Sequence, residues 1–217
     1  MDKPIEMYWQ TRLDELRVQL EKNNFDVFVV ENAAEAGKLV MEKILPESGA
    51  KSVSYGGSMT MKSAGLHDSL LDCEEIELLR PDEPNLSLEE KLERRRQGLL
   101  VDFYLSGTNA VTEAGHLVNL DMIGNRVGAI TFGPKNVVIL VGRNKIVPDL
   151  DSAMYRIKEY ASPVNAMRLD CKTPCVKTSH CEDCSSPGRI CNSWTITEKS
   201  FPKGRIKVVL INEDLGF

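Results

Sequence analysis

Five cysteines crowd one short stretch: Cys171, Cys175, Cys181, Cys184 and Cys191. Their spacing is Cys171-x3-Cys175-x5-Cys181-x2-Cys184-x6-Cys191. Thiolates set this close together are the ligands of soft metals. Pro174, Pro187 and Gly188 keep the stretch out of regular structure, so something other than a helix or a ladder must hold it. Zinc takes four such ligands in a tetrahedron. An iron–sulfur cluster also takes four, although this is not the bacterial ferredoxin spacing. His180 can replace one thiolate, and either centre leaves a cysteine over. A reduced thiol-rich loop, or a disulfide formed on oxidation, is the plainer alternative. Cys73 stands alone and reads as a small half-buried hydrophobe.

A second chemical feature is Tyr55-Gly56-Gly57-Ser58-Met59-Thr60, placed between an expected strand and an expected helix. Gly56 and Gly57 let a ligand approach the backbone, the amides at the helix start attract anions, and Ser58 and Thr60 add hydroxyls. The loop is neither Gly-x-Gly-x-x-Gly nor a Walker loop, so no nucleotide cofactor is expected. Ser106-Gly107-Thr108-Asn109 repeats the situation after another strand. Gly107, Thr108 and Asn109 therefore join the candidate ligand-binding residues, as do Asn125 and Arg126 downstream. A structural turn with a serine cap competes with the anion cradle. Arg126, Arg143 and Lys145 either pair with an anionic ligand or lie on a solvated face. In Thr112-Glu113-Ala114-Gly115, Glu113 is the candidate base or nucleophile. As a nucleophile it needs a desolvated pocket and an oxyanion donor, which the Gly56 and Gly57 amides would supply. A salt-bridged or capping carboxylate is the alternative.

These residues need elements to position them. Ile5, Trp9, Leu13, Leu16 and Leu20 recur at helical spacing over residues 3–22. Residues 25–30 read as a buried strand, and Asn32 caps a helix expected to end near Leu45, before Pro46 and Gly49. Strands follow at 52–55, 75–79 and 101–105. Ser87 and Glu90 form a capping box before a charged helix over 88–97. This strand–helix alternation predicts a mostly parallel sheet flanked by helices. Then the rhythm changes. Residues 117–120, 127–132 and 137–141 read as strands, the last two joined as a hairpin by Gly133-Pro134-Lys135-Asn136. A helix over 149–160 presents Met154, Ile157 and Tyr160 inward, and strands at 194–197 and 205–211 close the chain.

Composition bounds the function. The chain has 217 residues, 42% hydrophobic and 27% charged, with a net charge of −5. That is enough apolar matter for a packed core. The expected organisation is one α/β domain over 1–217, with the Cys-rich segment 171–191 as an insertion. An acidic surface repels phosphate backbones, so nucleic acid is not an expected partner. The longest apolar run, residues 137–141, falls far short of the ~20 residues that cross a bilayer, so no membrane is expected either. No apolar run follows the basic residue near the N-terminus, which points to the cytoplasm.

Taken in order, Tyr55-Gly56-Gly57-Ser58, Thr112-Glu113-Ala114-Gly115, Asn125-Arg126 with Phe132-Gly133-Pro134, Gly142-Arg143-Asn144-Lys145-Ile146-Val147 and Ala161-Ser162-Pro163-Val164-Asn165-Ala166 resemble the lactate-utilisation (LUD, LutC/YkgG-like) domain family. The resemblance implies a fold similar to the sugar-phosphate isomerase and coenzyme A transferase (NagB/RpiA-like) group. It implies an accessory role in oxidising L-lactate or a similar small carboxylate, with iron–sulfur or other redox proteins as partners. The ligand would be a small anionic metabolite, a carboxylate or a phosphate. An iron–sulfur cluster, or zinc, would occupy the cysteine segment. Two other functions stand beside this one: a transferase or isomerase using Glu113, and a binding or regulatory module with structural zinc.

Overall fold

The computed structural model describes residues 3–217. Along the chain run α1 (Lys3–Lys22), β1 (Asp26–Val30), α2 (Ala33–Leu39), α3 (Leu45–Ser48), β2 (Ser52–Tyr55), α4 (Met59–Ser63), α5 (Leu66–Leu71), β3 (Glu77–Leu79), α6 (Leu88–Gln97) and β4 (Phe103–Gly107). Then follow β5 (Ala110–Thr112), β6 (Leu117–Asp121), α7 (Asn125–Thr131), β7 (Asn136–Gly142), β8 (Ile146–Val147), α8 (Leu150–Arg156), α9 (Ser162–Arg168), α10 (Cys175–Thr178), β9 (Ser193–Thr197) and β10 (Ile206–Ile211).

Six strands form one sheet in the order β1-β10-β7-β4-β2-β3. Every neighbouring pair in it is parallel. The central strands are apolar on both faces, as a sheet covered twice requires. One face packs Ala36, Val40, Ile44 and Leu45 from the second long helix, and Met61, Leu66 and Leu70 from α4 and α5, onto Val53, Phe103, Leu105, Leu140 and Val209. The opposite face packs Leu13, Leu16 and Leu20 of α1 and Ala129 and Ile130 of α7 onto Tyr104, Val137, Ile139, Val208 and Leu210. A smaller sheet, in the order β8-β5-β6-β9, grows from the end of β4.

Two readings of the sequence need correcting. Residues 127–132 are not a strand, because α7 covers Asn125–Thr131 and buries Arg126, Val127, Ala129 and Ile130 on one side. A short apolar run serves a buried helix as well as a strand, and Gly124, with φ +88°, turns the chain into the helix. The hairpin therefore disappears. Gly133 to Lys135 leads from α7 into β7, which pairs in parallel with β4 and β10. On the helix over 149–160 the expected inner residue Ile157 is buried, but the other two are not. Ala153, Ile157 and Ala161 are buried, while Met154 and Tyr160 are exposed.

Two long helices, over residues 33–48 and 150–168, pass through a proline without breaking. Pro46 and Pro163 each follow a π-helical segment, Val40–Ile44 and Ile157–Ala161. The residue before each proline donates five residues back, Leu45 to Val40 and Ser162 to Ile157. Widening the turn moves away the carbonyl with which the proline ring would collide. The second helix thus runs past Leu45 to Ser48 and ends at Gly49 in the left-handed region, φ +65°.

Gly37 in α2 sits against α4: an added Cβ would lie 2.1 Å from the Ala64 carbonyl oxygen. Gly37→Ala gains roughly 1 kcal/mol of helix propensity yet forces two packed backbones apart. A net destabilisation of about 1–3 kcal/mol is expected, read as a lower urea midpoint. An unchanged or higher midpoint would mean that α2 shifts freely.

Candidate functional site

The chain leaves β2 for α4 on the first face of the large sheet and leaves β4 for the small sheet and α7 on the second. Between β2 and β4 the connections diverge, and the carboxyl ends of a parallel sheet open a crevice at such a point. Gly56, Gly57 and Ser58 lie on the β2 side of this divergence and Gly107 on the β4 side. Ser58 caps α4 by accepting from Met61 N–H. Its Oγ lies 2.7 Å from where a Gly107 Cβ would be, so a side chain at 107 would close the gap. Gly56 is a packing glycine. A Cβ there would meet Arg126 Cγ at 2.9 Å and Ser106 Oγ and Tyr104 Oη at 3.0 Å. Its amide donates to Leu105 O at 2.9 Å, so it is spent in the sheet and cannot serve as an oxyanion donor. Gly57 is exposed, with no atom beyond its chain neighbours within 4 Å of a Cβ position. Only there is the backbone open to a ligand.

Arg126 is buried and fully occupied. Nε donates to Asp121 Oδ1 at 3.0 Å, Nη1 to Asn119 Oδ1 and Gly107 O, and Nη2 to Asn109 Oδ1 and Leu120 O. These bonds use every N–H the guanidinium has. The residue binds the end of β4 to β6, and Asn109 and Thr108 belong to the same lattice. Thr108 Oγ1 donates within it to Ala110 O and Val118 O. Two buried atoms beside this lattice find no partner: Ser106 Oγ and Asn119 Nδ2. Asn125 lines a separate hollow with Arg95 and Arg96, between α6 and α7.

The free positive charge lies one strand over. Lys145, in the 3-10 turn Arg143–Lys145 after β7, is 4% exposed and donates to Thr60 Oγ1 at 2.9 Å. Thr60, itself fully buried in α4, passes its own proton to Leu215 O. Arg156 of α8 approaches from the other side, donating to Asn144 O and Asn109 O. Among the described residues neither Lys145 nor Arg156 has an ion pair. Burial, with Arg156 and Arg126 nearby, pushes the Lys145 amine down to about 7, and burial also lowers Arg156. Leu215 and Gly216 pass over this pair, tied to Asn144. Lys145 was visible in the sequence as one basic residue among three. Arg156 was not singled out, because nothing local distinguishes it from a surface arginine.

Glu113 is elsewhere. Its side chain is half exposed and pairs with Arg12 of α1 at 2.5 Å, while its amide donates to Val147 O. Gly57 and Glu113 are not brought together.

The cysteine segment folds against α8 and α9. Lys158 and Arg189 both reach Asp183 Oδ1, at 2.9 and 3.3 Å, and Arg189 also donates to the carbonyls of Cys184 and Cys191. Cys175, Cys181, Cys184 and Cys191 line one cavity together with Lys158, Thr173, Glu182 and Arg189. Cys171 is not part of that lining, and His180 turns to the Thr178 carbonyl. All six cysteines are free thiols. Among the described residues no three His, Cys, Asp or Glu side chains converge as ligands of a single metal ion. Hydrogen bonds from Ser186 lower the Cys184 thiol, whereas burial and the neighbouring Cys175 raise Cys171. No helix is long and apolar enough to cross a membrane among the described residues.

The LUD domain family matches residues 13–211, and the chain belongs to it. No curated protein matches. Among solved structures the chain is similar to a DUF162 family protein from Deinococcus radiodurans, at 14% identity and a TM-score of 0.48, covering 95% of this chain and 97% of that one. It is also similar to ribose 5-phosphate isomerase from Plasmodium falciparum, at 15% identity and a TM-score of 0.31, covering 52% and 53% of the two chains.

Arg126 and Glu113 differ sharply in what their removal should do. Arg126→Gln leaves the Asp121 carboxylate without its cation and removes five hydrogen bonds from the buried lattice, and about 3–5 kcal/mol of stability should be lost. Glu113→Gln breaks a half-exposed bridge and should cost less than about 1 kcal/mol. Paired urea melts check both. Equal losses would refute the placement of Arg126 as the residue that locks the two sheets.

Proposed function

We propose that this LUD-domain protein is of the lactate-utilisation type and binds a small carboxylate, L-lactate or a close relative, at the carboxyl ends of β2, β4 and β7. The observation that carries the reading is the buried Lys145 ammonium, with the part-buried Arg156 guanidinium nearby and no carboxylate partner for either among the described residues. A buried cation is costly unless an anion or a hydrogen-bonding shell compensates it. Lys145 has one hydroxyl. A bound carboxylate would supply the missing charge, bridging the ammonium and the guanidinium. Gly57 and the unpartnered Ser106 hydroxyl border the same end of the sheet and suit a ligand that also carries a hydroxyl or carbonyl. A phosphate would satisfy the same charges; the family match is what favours a carboxylate here.

Within a lactate-oxidising system the chain acts as an accessory to redox partner proteins. Its own residues bind and orient the carboxylate. A metal centre in the Cys171–Cys191 segment belongs to the same reading, supported by the cavity on which four of its thiols open. The transferase reading through Glu113 has less support. A nucleophilic carboxylate needs a dry pocket, and Glu113 is a surface partner of Arg12.

Lys145→Met tests the proposal. The native amine titrates near 7 and the unfolded one near 10.4. The unfolded state therefore binds a proton that the native state lacks between those values, and stability falls as pH drops from about 10 to 7. Removing the amine should raise stability at pH 7 by about 1–3 kcal/mol, on the order of 5 °C in Tm. The same variant should lose the thermal shift that L-lactate or pyruvate gives the wild type, and lactamide should give none. Because the carboxylate favours the protonated lysine, affinity should be flat below pH 7 and weaken above it. A variant that is less stable, or that keeps its carboxylate response, would sink the assignment.

A further inference from the structure

We propose that the amino-terminal edge of the large sheet docks on an anionic lipid surface. Leu100, Phe132 and Phe201 enter the lipid, and the exposed lysines around them meet headgroup phosphates. The inference is independent of the carboxylate site, which lies at the opposite edge of the same sheet.

Leu100, Phe132 and Phe201 are 86%, 85% and 88% exposed, more than any other large apolar side chain among the described residues. Each stands in the loop that leads into one of β4, β7 and β10, and these three strands lie side by side. All three pair in parallel, so their entry loops fall on one edge. The strands also start level, because Phe103 pairs with Asn136 and Val137 with Ile206. The loops are fastened to one another. A Cβ on Gly133, next to Phe132, would lie 2.7 Å from the carbonyl oxygen of Leu99. Arg205, at the end of the third loop, donates to the carbonyls of Pro134, Ile130 and Ala129. The Ser200 hydroxyl accepts from the Ile206 amide and donates to Pro202 O, which fixes the turn that carries Phe201. Side chains this exposed contribute little to the fold, and several on one edge mark a surface that meets something else.

The charges say what it meets. Phe132-Gly133-Pro134-Lys135 and Phe201-Pro202-Lys203 each set a lysine just behind an exposed ring. Lys199 precedes the same third loop, Lys22 ends α1 and Lys51 leads into β2, so all three reach this edge as well. All five lysines are exposed. Among the described residues only Lys135 has a carboxylate partner, Asp102 at 3.5 Å. Asp102 is already held by the Lys51 and Ser52 amides, and Asp26 packs against Gly204. Glu21 and Glu198 are the exposed acids adjoining these lysines in sequence. The net charge of −5 belongs to the whole surface, and charges beyond a Debye length of about 8 Å are screened, so the local excess of lysine governs a contact here.

A second copy of the chain is a poor occupant, because a two-fold interface would set lysine against lysine. A rigid protein face needs a complementary surface, whereas these groups project singly from loop tips, a shape suited to a soft interface. Apolar tips at headgroup depth with lysines on the phosphates are how a protein lies on a bilayer. Such docking needs no spanning segment, which is all that the short apolar runs exclude. It also leaves the crevice at the carboxyl ends of the strands facing away from the lipid.

The test sediments the full chain with vesicles of phosphatidylcholine alone, and of phosphatidylcholine with about one-quarter phosphatidylserine. The chain should pellet with the second and stay in solution with the first, and raising the salt should release it. Phe132→Ser with Phe201→Ser should weaken binding by about tenfold or more, with a melting temperature close to that of the wild type. Lys135→Gln, Lys199→Gln and Lys203→Gln should each weaken it roughly fivefold. Leu88→Ser, at an exposed apolar position on α6, should leave it unchanged. No binding to the phosphatidylserine vesicles, or binding that the double phenylalanine variant retains, would overturn the proposal. So would a dimer in solution that the double variant abolishes, which would give this edge to a second copy.

Discussion

A buried guanidinium must satisfy all of its N–H groups at once, and that demand organises the functional end of this molecule. Arg126 collects acceptors from the end of β4, from the following loop and from β6. The small sheet is thereby locked onto the carboxyl edge of the large one, and the loop from Ser106 to Asn109 takes its shape. Asp121 neutralises the charge, and no N–H remains for a ligand. Arg126 is therefore the frame of the crevice. The residues free to meet an anion, Lys145 and Arg156, stand against that frame, and Arg156 is itself held by the carbonyl of Asn109.

One helix connects the two candidate sites. Residues 150–168 run through α8, the π-helical segment Ile157–Ala161 and α9. Arg156 leaves this helix toward Asn109 and Asn144, and Lys158, two residues on, leaves it toward Asp183 and the thiol-lined cavity. Two residues rise about 3 Å along a helix, so one rigid element sets both placements. The π segment begins just after Arg156 and includes Lys158, and it is explained by Pro163. Its wider turn also puts Ala153, Ile157 and Ala161 four residues apart on the buried side. Ala153 and Ile157 set the helix against the small sheet, where Ala110, Val118 and Leu120 receive it.

Much of the fold was legible in the sequence because its signals are local. The Ser87–Glu90 capping box, the Asn32 cap and the Leu13–Leu16–Leu20 spacing each state their structure within one or two turns. The failures are those where the deciding partner is distant. The Val127–Ile130 run is helical because Arg126 and Gly124 place it on the sheet, which no local period reveals. Met154 and Tyr160 looked like core because of their size, whereas close packing selected alanines. The site divides along the same line. The position of Gly57, Ser58, Gly107 and Thr60 at the ends of β2 and β4 was legible from glycine and hydroxyl residues that follow apolar runs. Lys145 and Arg156 acquire their meaning from an absence of carboxylates, set by residues 60, 109, 144 and 215. Glu113 carried the right chemistry in isolation, but Arg12, a hundred residues away, claims it.

Lys145 is a poor choice for stability. A methionine would fill the same space without desolvating an amine, and the fold gains nothing from a single hydrogen bond to Thr60 that a leucine–alanine pair could not replace. The surrounding structure nonetheless holds the amine in place. Thr60 presents its oxygen, Leu215 orients that hydroxyl, Asn144 ties down the Leu215 amide, and Gly216, with φ +67°, lets the chain pass so closely that a Cβ there would lie 2.8 Å from Thr60 Oγ1. Such a supporting shell around a destabilising charge is what the proposed carboxylate site requires. Its position follows from the sheet: β7 neighbours β4, so the turn after β7 delivers a cation beside the crevice that the diverging β2 and β4 connections open.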